Sequence, residues 1–135
     1  MSVAASWSLQ QAIYGALLAD TGLSALVASR IYDDVPQDVI FPYVTLGEVT
    51  VREWSTASDI GAEHSLVLHA WSRSHSRKEV KEILGAINNS LDRAALTVAD
   101  FQLINLQFVS ADMRREADGA TYHGVIRFRA ITEPL

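Results

Sequence analysis

Cysteine is absent from the 135-residue sequence, which excludes disulfides, thiol catalysis and every metal site built on thiolates. Positive charge is absent from the N-terminal part, because the first cation is Arg30, so the charged segment of a secretory signal is missing. A long apolar run is missing too. The most hydrophobic stretch, residues 12–29, is interrupted by Asp20 and by two glycines, so we predict a soluble protein without a membrane span.

Basic residues are fewer than acidic ones, 11 against 16, which gives a formal net charge of −5. Nucleic-acid binding relies on a basic surface that displaces counterions from phosphates, and this chain has no overall basic excess. Any contact with DNA is therefore confined to a small part of the surface. Alternatively, the surface repels DNA, which moves past the protein without binding.

Sequence signatures of common enzymes and cofactor sites are also absent. The chain has no phosphate-binding glycine loop, no dinucleotide fingerprint, no nucleophile elbow and no H-E-x-x-H zinc motif. His64 and His69 are an odd number of positions apart, so on one strand they would face opposite sides and could not share a metal ion. We therefore expect no catalytic residue, no metal site and no cofactor, and we do not expect an enzyme.

An aspartate cluster around Pro36 leaves two interpretations open. Asp33, Asp34 and Asp38 lie in the segment RIYDDVPQDVIFPYVTLGE, residues 30–48. Such carboxylates could serve acid–base chemistry or bind calcium, although the spacing of an EF-hand loop is absent. Alternatively they form turns, because aspartate accepts hydrogen bonds from nearby backbone amides beside proline. The pattern favours the second interpretation, a rigid turn that leads into a strand.

Two segments have the apolar periodicity of amphipathic helices. The first is predicted to begin at a capping box formed by Ser8 and Gln11, and the second at one formed by Ser76 and Glu79. The second helix is predicted to extend from residue 77 to about residue 91. The two apolar stripes consist of Leu9, Ala12, Ile13, Ala16 and Leu17, and of Val80, Ile83, Leu84, Ile87 and Leu91.

Four segments alternate between apolar and polar residues as β-strands do. Residues 52–64 are polar and are predicted as a long loop or hairpin tip between the first two strands. Asp118-Gly119 is predicted as the hairpin turn before the last strand. In the third strand, Ile104, Leu106 and Phe108 are expected to share one face. The strands are predicted to begin at residue 43 and to cover residues 65–72, 102–110 and 121–131.

The predicted order of elements is helix, strand, strand, helix, strand, strand, within one domain that covers residues 1–135. With 49% hydrophobic and 20% charged residues, the chain can form a substantial core. The economical arrangement packs both helices on one face of a sheet. We therefore predict an α+β fold, with a mostly antiparallel four-stranded sheet and two main helices on one face, in the order α-β-β-α-β-β.

Charged and aromatic residues at expected surface positions are the candidates for contacts with neighbouring subunits or partners. Cations crowd the start of the second helix, where they oppose the helix dipole at a cost of about 0.3–1 kcal/mol. They could attract an acidic neighbour or a phosphate, or they are simply solvated. Trp54 either anchors an interface or folds back onto the sheet. The candidate interface residues are Asp34, Asp38, Arg52, Trp54, Arg73, Arg77, Lys78, Lys81, Arg127 and Arg129.

Three stretches carry a family resemblance: RIYDDVPQDVIFPYVTLGE, HAWSRS and TYHGVIRFRAITE. The chain resembles the small tail-terminator or tail-completion proteins of long-tailed phages, prophages and phage-like gene transfer agents. The branch from alphaproteobacterial gene transfer agents is the most similar. The resemblance extends from Leu9 to Glu133, and it implies an α/β fold with helices on one side of a sheet and no catalytic residue.

The resemblance also implies an assembly role. Family members form a hexameric ring on the head-proximal end of the tail tube, which ends tube polymerisation and joins the tail to the neck of the head. The implied partners are further copies of the chain, the tail tube protein and a neck or stopper protein. DNA would pass through the lumen without specific binding, and no membrane is involved. The implied location is the bacterial cytoplasm during assembly and then the tail–neck junction of the released particle.

Two other functions are compatible with the sequence. A head-completion or stopper protein of the neck has a similar size and role, and the sequence separates it poorly from a terminator. A small ligand-binding α/β module would fit the order of elements alone, and it would show a specific ligand in a thermal-shift screen.

Overall fold

The computed structural model describes residues 2–135, which form three helices and five strands. The α+β class is as predicted, and the helices pack together on one face of the sheet around one hydrophobic core. In chain order the elements are α1 (Ser2–Ala19), α2 (Thr21–Val27), β1 (Ile31–Tyr32), β2 (Tyr43–Glu53), β3 (Ala62–Ser72), α3 (Lys78–Leu91), β4 (Phe101–Arg115) and β5 (Tyr122–Pro134).

The five strands are ordered β1-β2-β3-β5-β4, so β1 and β4 form the two edges of the sheet. Strands β2 to β5 pair antiparallel, but β1 pairs with β2 in parallel, with Ile31 opposite Val44. The predictions of a four-stranded sheet and of the order α-β-β-α-β-β are therefore wrong, because they omit α2 and β1. β1 has only two residues, which is too short to show strand periodicity in a sequence.

Helix α1 begins well before its predicted capping box, so Ser8 lies inside the helix and the predicted start is wrong. The residues that precede Ser8 include Ala4 and Ala5, and alanine is the strongest helix former. The stripe that begins at Leu9 faces the core as predicted. No described helix combines the length and hydrophobicity that crossing a bilayer requires.

Helix α3 has nearly the predicted bounds, but its capping box is incomplete. Ser76 Oγ accepts a hydrogen bond from the amide of Lys78 at 3.3 Å. Glu79 does not reach back to the serine, and instead accepts a hydrogen bond from Ser72 Oγ at 2.7 Å. The glutamate therefore ties the start of α3 to the end of β3, rather than completing the cap.

The apolar stripe of α3 is buried against the sheet, as its periodicity predicted. Gly124 of β5 lies directly beneath the helix. A Cβ atom at Gly124 would come within 2.8 Å of Leu84 Cδ1 and 2.9 Å of Val80 Cγ2. The glycine therefore permits a close approach of helix and sheet.

Strand β4 departs from strict alternation at two places. Its register with β5 shifts at Ile104 and again at Val109. Each bulge inserts one residue and so changes which side chains face the core. Leu103 and Leu106 lie opposite Thr132 and Ala130 of the core face although they are three positions apart, so the strict alternation predicted through Ile104 is broken, and Ile104 is exposed whereas Leu106 is buried.

The two predicted turns are present with adjusted bounds. β2 and β3 extend further than their sequence pattern indicated, so the connecting loop covers only residues 54–61 instead of 52–64. The Asp118-Gly119 turn closes the β4–β5 hairpin, with Gly119 in the left-handed region at a φ of 73°. Its amide donates to the Glu116 carbonyl oxygen at 3.0 Å.

Candidate interaction surfaces

The face of the sheet opposite the helices, here called the open face, carries ion pairs between neighbouring strands. Arg127 Nη1 lies 2.9 Å from Asp112 Oδ2 on β4. Arg129 donates to Glu63 on β3, and Arg52 Nη1 lies 4.0 Å from the same carboxylate group. These three candidate interface cations therefore have carboxylate partners within their own chain.

Trp54 lies at the start of the β2–β3 loop, beside one of these arginines. The guanidinium carbon of Arg129 is 4.8 Å from the centroid of the Trp54 ring, which is cation–π geometry. The tryptophan is nevertheless 47% exposed. One side of the ring therefore contacts the chain itself, while the other is accessible to a neighbouring molecule.

An aromatic row crosses the open face from the β1–β2 loop to β5. Phe41 meets Tyr43 edge-on with 5.0 Å between ring centroids, and Tyr43 stacks on Trp71 at 6.2 Å. Trp71 stacks on His123 at 3.8 Å, with their planes within 8°. Burial raises the pKa of the Tyr43 hydroxyl, and the charge of Arg73 opposes that shift. The row borders an open cleft of about 390 Å³.

His69 and His123 contact each other on the open face. His69 Nδ1 lies 2.7 Å from His123 Nε2, and His123 Nδ1 lies 2.7 Å from Glu116 Oε1. Burial lowers the pKa of His69, and the charge of His123 adds to the effect. His64 faces the core instead, as the odd spacing predicted, and its Nε2 is 2.9 Å from Thr132 Oγ1. Within residues 2–135, no group of three or more potential ligands is arranged to hold a metal ion.

Arg73 is bound at the turn that joins β4 to β5. Its guanidinium carbon lies 4.2 Å from the centroid of the Phe41 ring, and its Nε donates to Thr121 Oγ1 at 3.0 Å. Its Nη2 is 3.7 Å from Asp118 Oδ2. Hydrogen bonds from the amides of Ala120 and Thr121 lower the pKa of the Asp118 carboxyl to about 2. Arg73 therefore stabilises the turn and is only partly available to a partner.

The other cations of the predicted basic cluster extend from the start of α3. Arg77 lies over the ring of Tyr122, 5.5 Å from its centroid. Lys78 and Lys81 are exposed, and no ion pair involves them in the part of the chain that the structure describes. These two lysines remain candidates for contact with an acidic surface.

The loop between β1 and β2 is irregular and exposed, as its prolines predicted. Asp34 and Asp38 are exposed, and neither takes part in an ion pair among residues 2–135. Asp38 has a φ of 56°, a turn conformation that aspartate tolerates, which supports the turn interpretation. Arg30 Nε donates to the carbonyl oxygen of Pro42 at 2.8 Å and links the two ends of the segment.

A groove of about 290 Å³ opens between α1 and the β1 edge of the sheet, here called the β1-edge groove. Trp7, Tyr14 and Tyr32 form aromatic walls, and Trp7 is 58% exposed. Among the lining residues that the structure describes, Asp33 and Asp34 are the charged ones. The groove therefore combines an apolar wall with an acidic rim.

A second groove, of about 350 Å³, lies at the opposite edge of the sheet and is here called the β4-edge groove. It is lined by residues 93–95 of the α3–β4 loop and by residues 103–107 of β4. Arg93 is the charged residue among its described lining. Ile104 lines the groove, and Phe108 and Val109 follow it along β4 with exposed apolar side chains.

The α3–β4 loop covers the backbone of β4 beside this groove. The Arg93 amide donates to the Leu106 carbonyl oxygen at 2.7 Å. The Phe108 amide donates to Asp92 Oδ1 at 2.8 Å. Both β4 groups therefore bind the loop rather than a further strand.

Both grooves were missed by the interpretation of the sequence. A signal was present for the β1-edge groove, because outward apolar residues recur along α1 at helical spacing: Val3, Trp7, Tyr14 and Leu18. For the β4-edge groove the sequence offers no such signal, since a bulge turns Ile104 outward and bulges are not visible in an alternating pattern.

Comparison with known proteins relates the chain to components of tailed particles. Residues 11–133 match the family model described as Tail completion protein gp17. The tail completion protein gp17 of Bacillus phage SPP1 is 26% identical over 125 residues, which cover 93% of this chain and 92% of that protein.

Solved structures also contain similar chains. One, from the virion of a native gene transfer agent particle, is 32% identical with a TM-score of 0.90, and the match covers 98% of this chain and 99% of that one. The bacteriophage SPP1 gp17 protein is 23% identical with a TM-score of 0.63, over 96% of this chain and 94% of that one, and it shows the shared fold.

Proposed function

The chain belongs to the tail completion protein gp17 family, as its resemblance implied, and we propose that it forms a hexameric ring at the head-proximal end of a tail tube. The family consists of structural tail proteins and is not an enzyme family. On the tube, the ring ends polymerisation and joins the tail to the neck of the DNA-filled head.

The observation that carries this proposal is the full-length similarity to a chain of a gene transfer agent virion. Because the structural match includes nearly all of both chains, the similarity extends beyond the core to the sheet edges and loops. A subunit of a ring must present one surface to each neighbour. Exposed apolar side chains at both edges of this sheet support such a role.

The charge distribution suits a ring through which DNA passes. The chain has a net charge of −5, and arginines of the open face are paired with carboxylates. On that face, little positive charge is therefore left to hold phosphates. The ring would contact the tail tube protein on one side and a neck or stopper protein on the other. It would assemble in the bacterial cytoplasm and stay at the tail–neck junction of the released particle.

The test is electron microscopy of particles from a strain that lacks this gene, beside the same strain complemented with it. Under the proposal, filled heads accumulate beside detached tails, many of them of abnormal length, and complementation restores joined particles. Detached tails of normal length beside leaky heads would contradict a terminator and identify a neck stopper. Intact, joined particles in the deletion strain would overturn an assembly role altogether.

A further inference from the structure

We propose that neighbouring subunits meet through opposite edges of the sheet, so that the β1-edge groove of one copy receives the β4-edge groove region of the next. The inference rests on the proposed ring and specifies its side-to-side contact. It assigns the occupant of both grooves to a second copy of this chain.

The two grooves lie on opposite sides of the subunit, which is what a ring contact needs. The strand order places β1 and β4 at the two edges, separated by three other strands. With about 4.8 Å between neighbouring strands, the edge strands are about 19 Å apart. A contact between two different patches of identical subunits is heterologous, and such contacts close into rings when the rotation allows.

Apolar side chains are exposed at both edges. α1 has no charged residue, and one of its faces packs on the core while the outward face carries Trp7 and Tyr14. Large aromatic side chains exposed on the outward face of an uncharged helix indicate a surface that another molecule covers. At the other edge Phe108 and Val109 are exposed, and Val109 is 56% accessible. Aromatic residues are enriched in the buried centre of protein interfaces, which fits this contact.

The charges of the two grooves are complementary. The β1-edge groove is rimmed by the carboxylates of Asp33 and Asp34, and the β4-edge groove contains the guanidinium of Arg93. None of these three groups forms an ion pair among residues 2–135. Opposite charges of this kind fix the register of two surfaces and speed their docking. A second copy therefore satisfies, at each edge, charges that a single copy leaves without partners.

The first experiment uses the absence of native cysteine, which makes the introduced thiols the only ones in this chain. Gln11→Cys and Ala95→Cys place one thiol on the lining of each groove and leave the charged residues unchanged. The double variant is expressed as the only copy, and its particles are treated with a short bis-maleimide. We expect a ladder of covalent oligomers on a denaturing gel. Each single variant should give only monomer, because a heterologous contact does not bring two identical positions together.

The outcomes separate the inference from the proposed function. If electron microscopy shows a ring in these particles but the double variant stays monomeric, the inference is wrong and the function stands. Dimers from a single variant would also overturn the inference, because they indicate a two-fold contact. If the deletion strain makes normal joined particles, the proposed function fails whatever the cross-linking shows.

A charge exchange provides the second experiment. Arg93→Asp alone, or Asp33→Arg together with Asp34→Arg, places like charges across the contact, and joined particles should fall by about tenfold or more. Aspartate is chosen because residue 93 has a φ of 60°, which aspartate tolerates. The combined variant should recover most of the loss. Normal yields from the single exchanges would contradict the contact. A loss of yield supports the contact only where thermal unfolding shows that the variant is folded.

Discussion

At the scale of single residues, burial determines how His64 responds to pH. Its ring is fully buried and is held by one hydrogen bond to Thr132 Oγ1. Burial lowers the pKa of His64 below the ordinary value of 6.5. The folded state thus binds fewer protons than the unfolded chain in the window below that value, and protonation favours unfolding.

We therefore expect the free energy of unfolding to fall as the pH decreases from about 7.5 to about 5.5. The contribution of neutral His64 to the free energy of unfolding is complete above the ordinary pKa of 6.5. It is lost as the pH drops towards the lowered pKa of His64 in the folded state. Urea denaturation at several pH values measures it, and His64→Gln should reduce the slope of the curve, while the part that comes from the lowered pKa of His69 remains. His75→Asn removes an exposed histidine and serves as the matched control. An unchanged slope in His64→Gln would contradict the prediction.

For residues of the candidate surfaces, the face of the sheet could be predicted from the sequence, but the contacts of the side chains could not. The sequence shows that Arg127 and Arg129 share a face, and the structure agrees. It does not show that Asp112 and Glu63 lie diagonally across from them on the neighbouring strands, because cross-strand neighbours depend on register, and register depends on contacts far apart in the chain. The stacking of Trp71 on His123 was missed for the same reason.

At the scale of elements, the contact between α3 and β5 depends on one glycine. Gly124→Ala would place a methyl group within 2.8 Å of Leu84 and should lower the stability by about 1–3 kcal/mol through overpacking. Gly85→Ala is a matched control in α3, where nothing lies within 4 Å of the added atom. It should instead stabilise the protein by about 1 kcal/mol, because alanine is the better helix former. Chemical denaturation compares the two, and equal effects would contradict the packing described.

Elements with a strong local pattern were predicted well, and those that depend on distant contacts were not. α3 was correct because one apolar stripe repeats along its length. The predicted start of α1 was too late, because the early residues of this helix are apolar or small on every side and have little periodicity. β1 and the two bulges of β4 were missed, since each exists only through pairing with another strand.

At the scale of the whole molecule, the acidic balance predicts that the protein does not retain DNA. With a net charge of −5, the chain should not shift linear duplex DNA in a gel at about 0.15 M salt. Replacing Asp33, Asp34 and Asp38 together by lysine reverses three charges and makes the net charge positive. That variant should bind DNA weakly and release it as salt rises. Binding by the unmodified protein at this ionic strength would contradict the prediction and would point to the lysines of α3.

The hydrogen bond between Asp92 and the Phe108 amide has a consequence for the free subunit. An uncovered strand of fifteen residues is a template on which strands of other molecules can add without limit, as in amyloid fibrils. The α3–β4 loop covers the middle of that strand, and β1 at the other edge is too short to seed such growth. The free subunit therefore offers little unpaired strand backbone to which another chain could add.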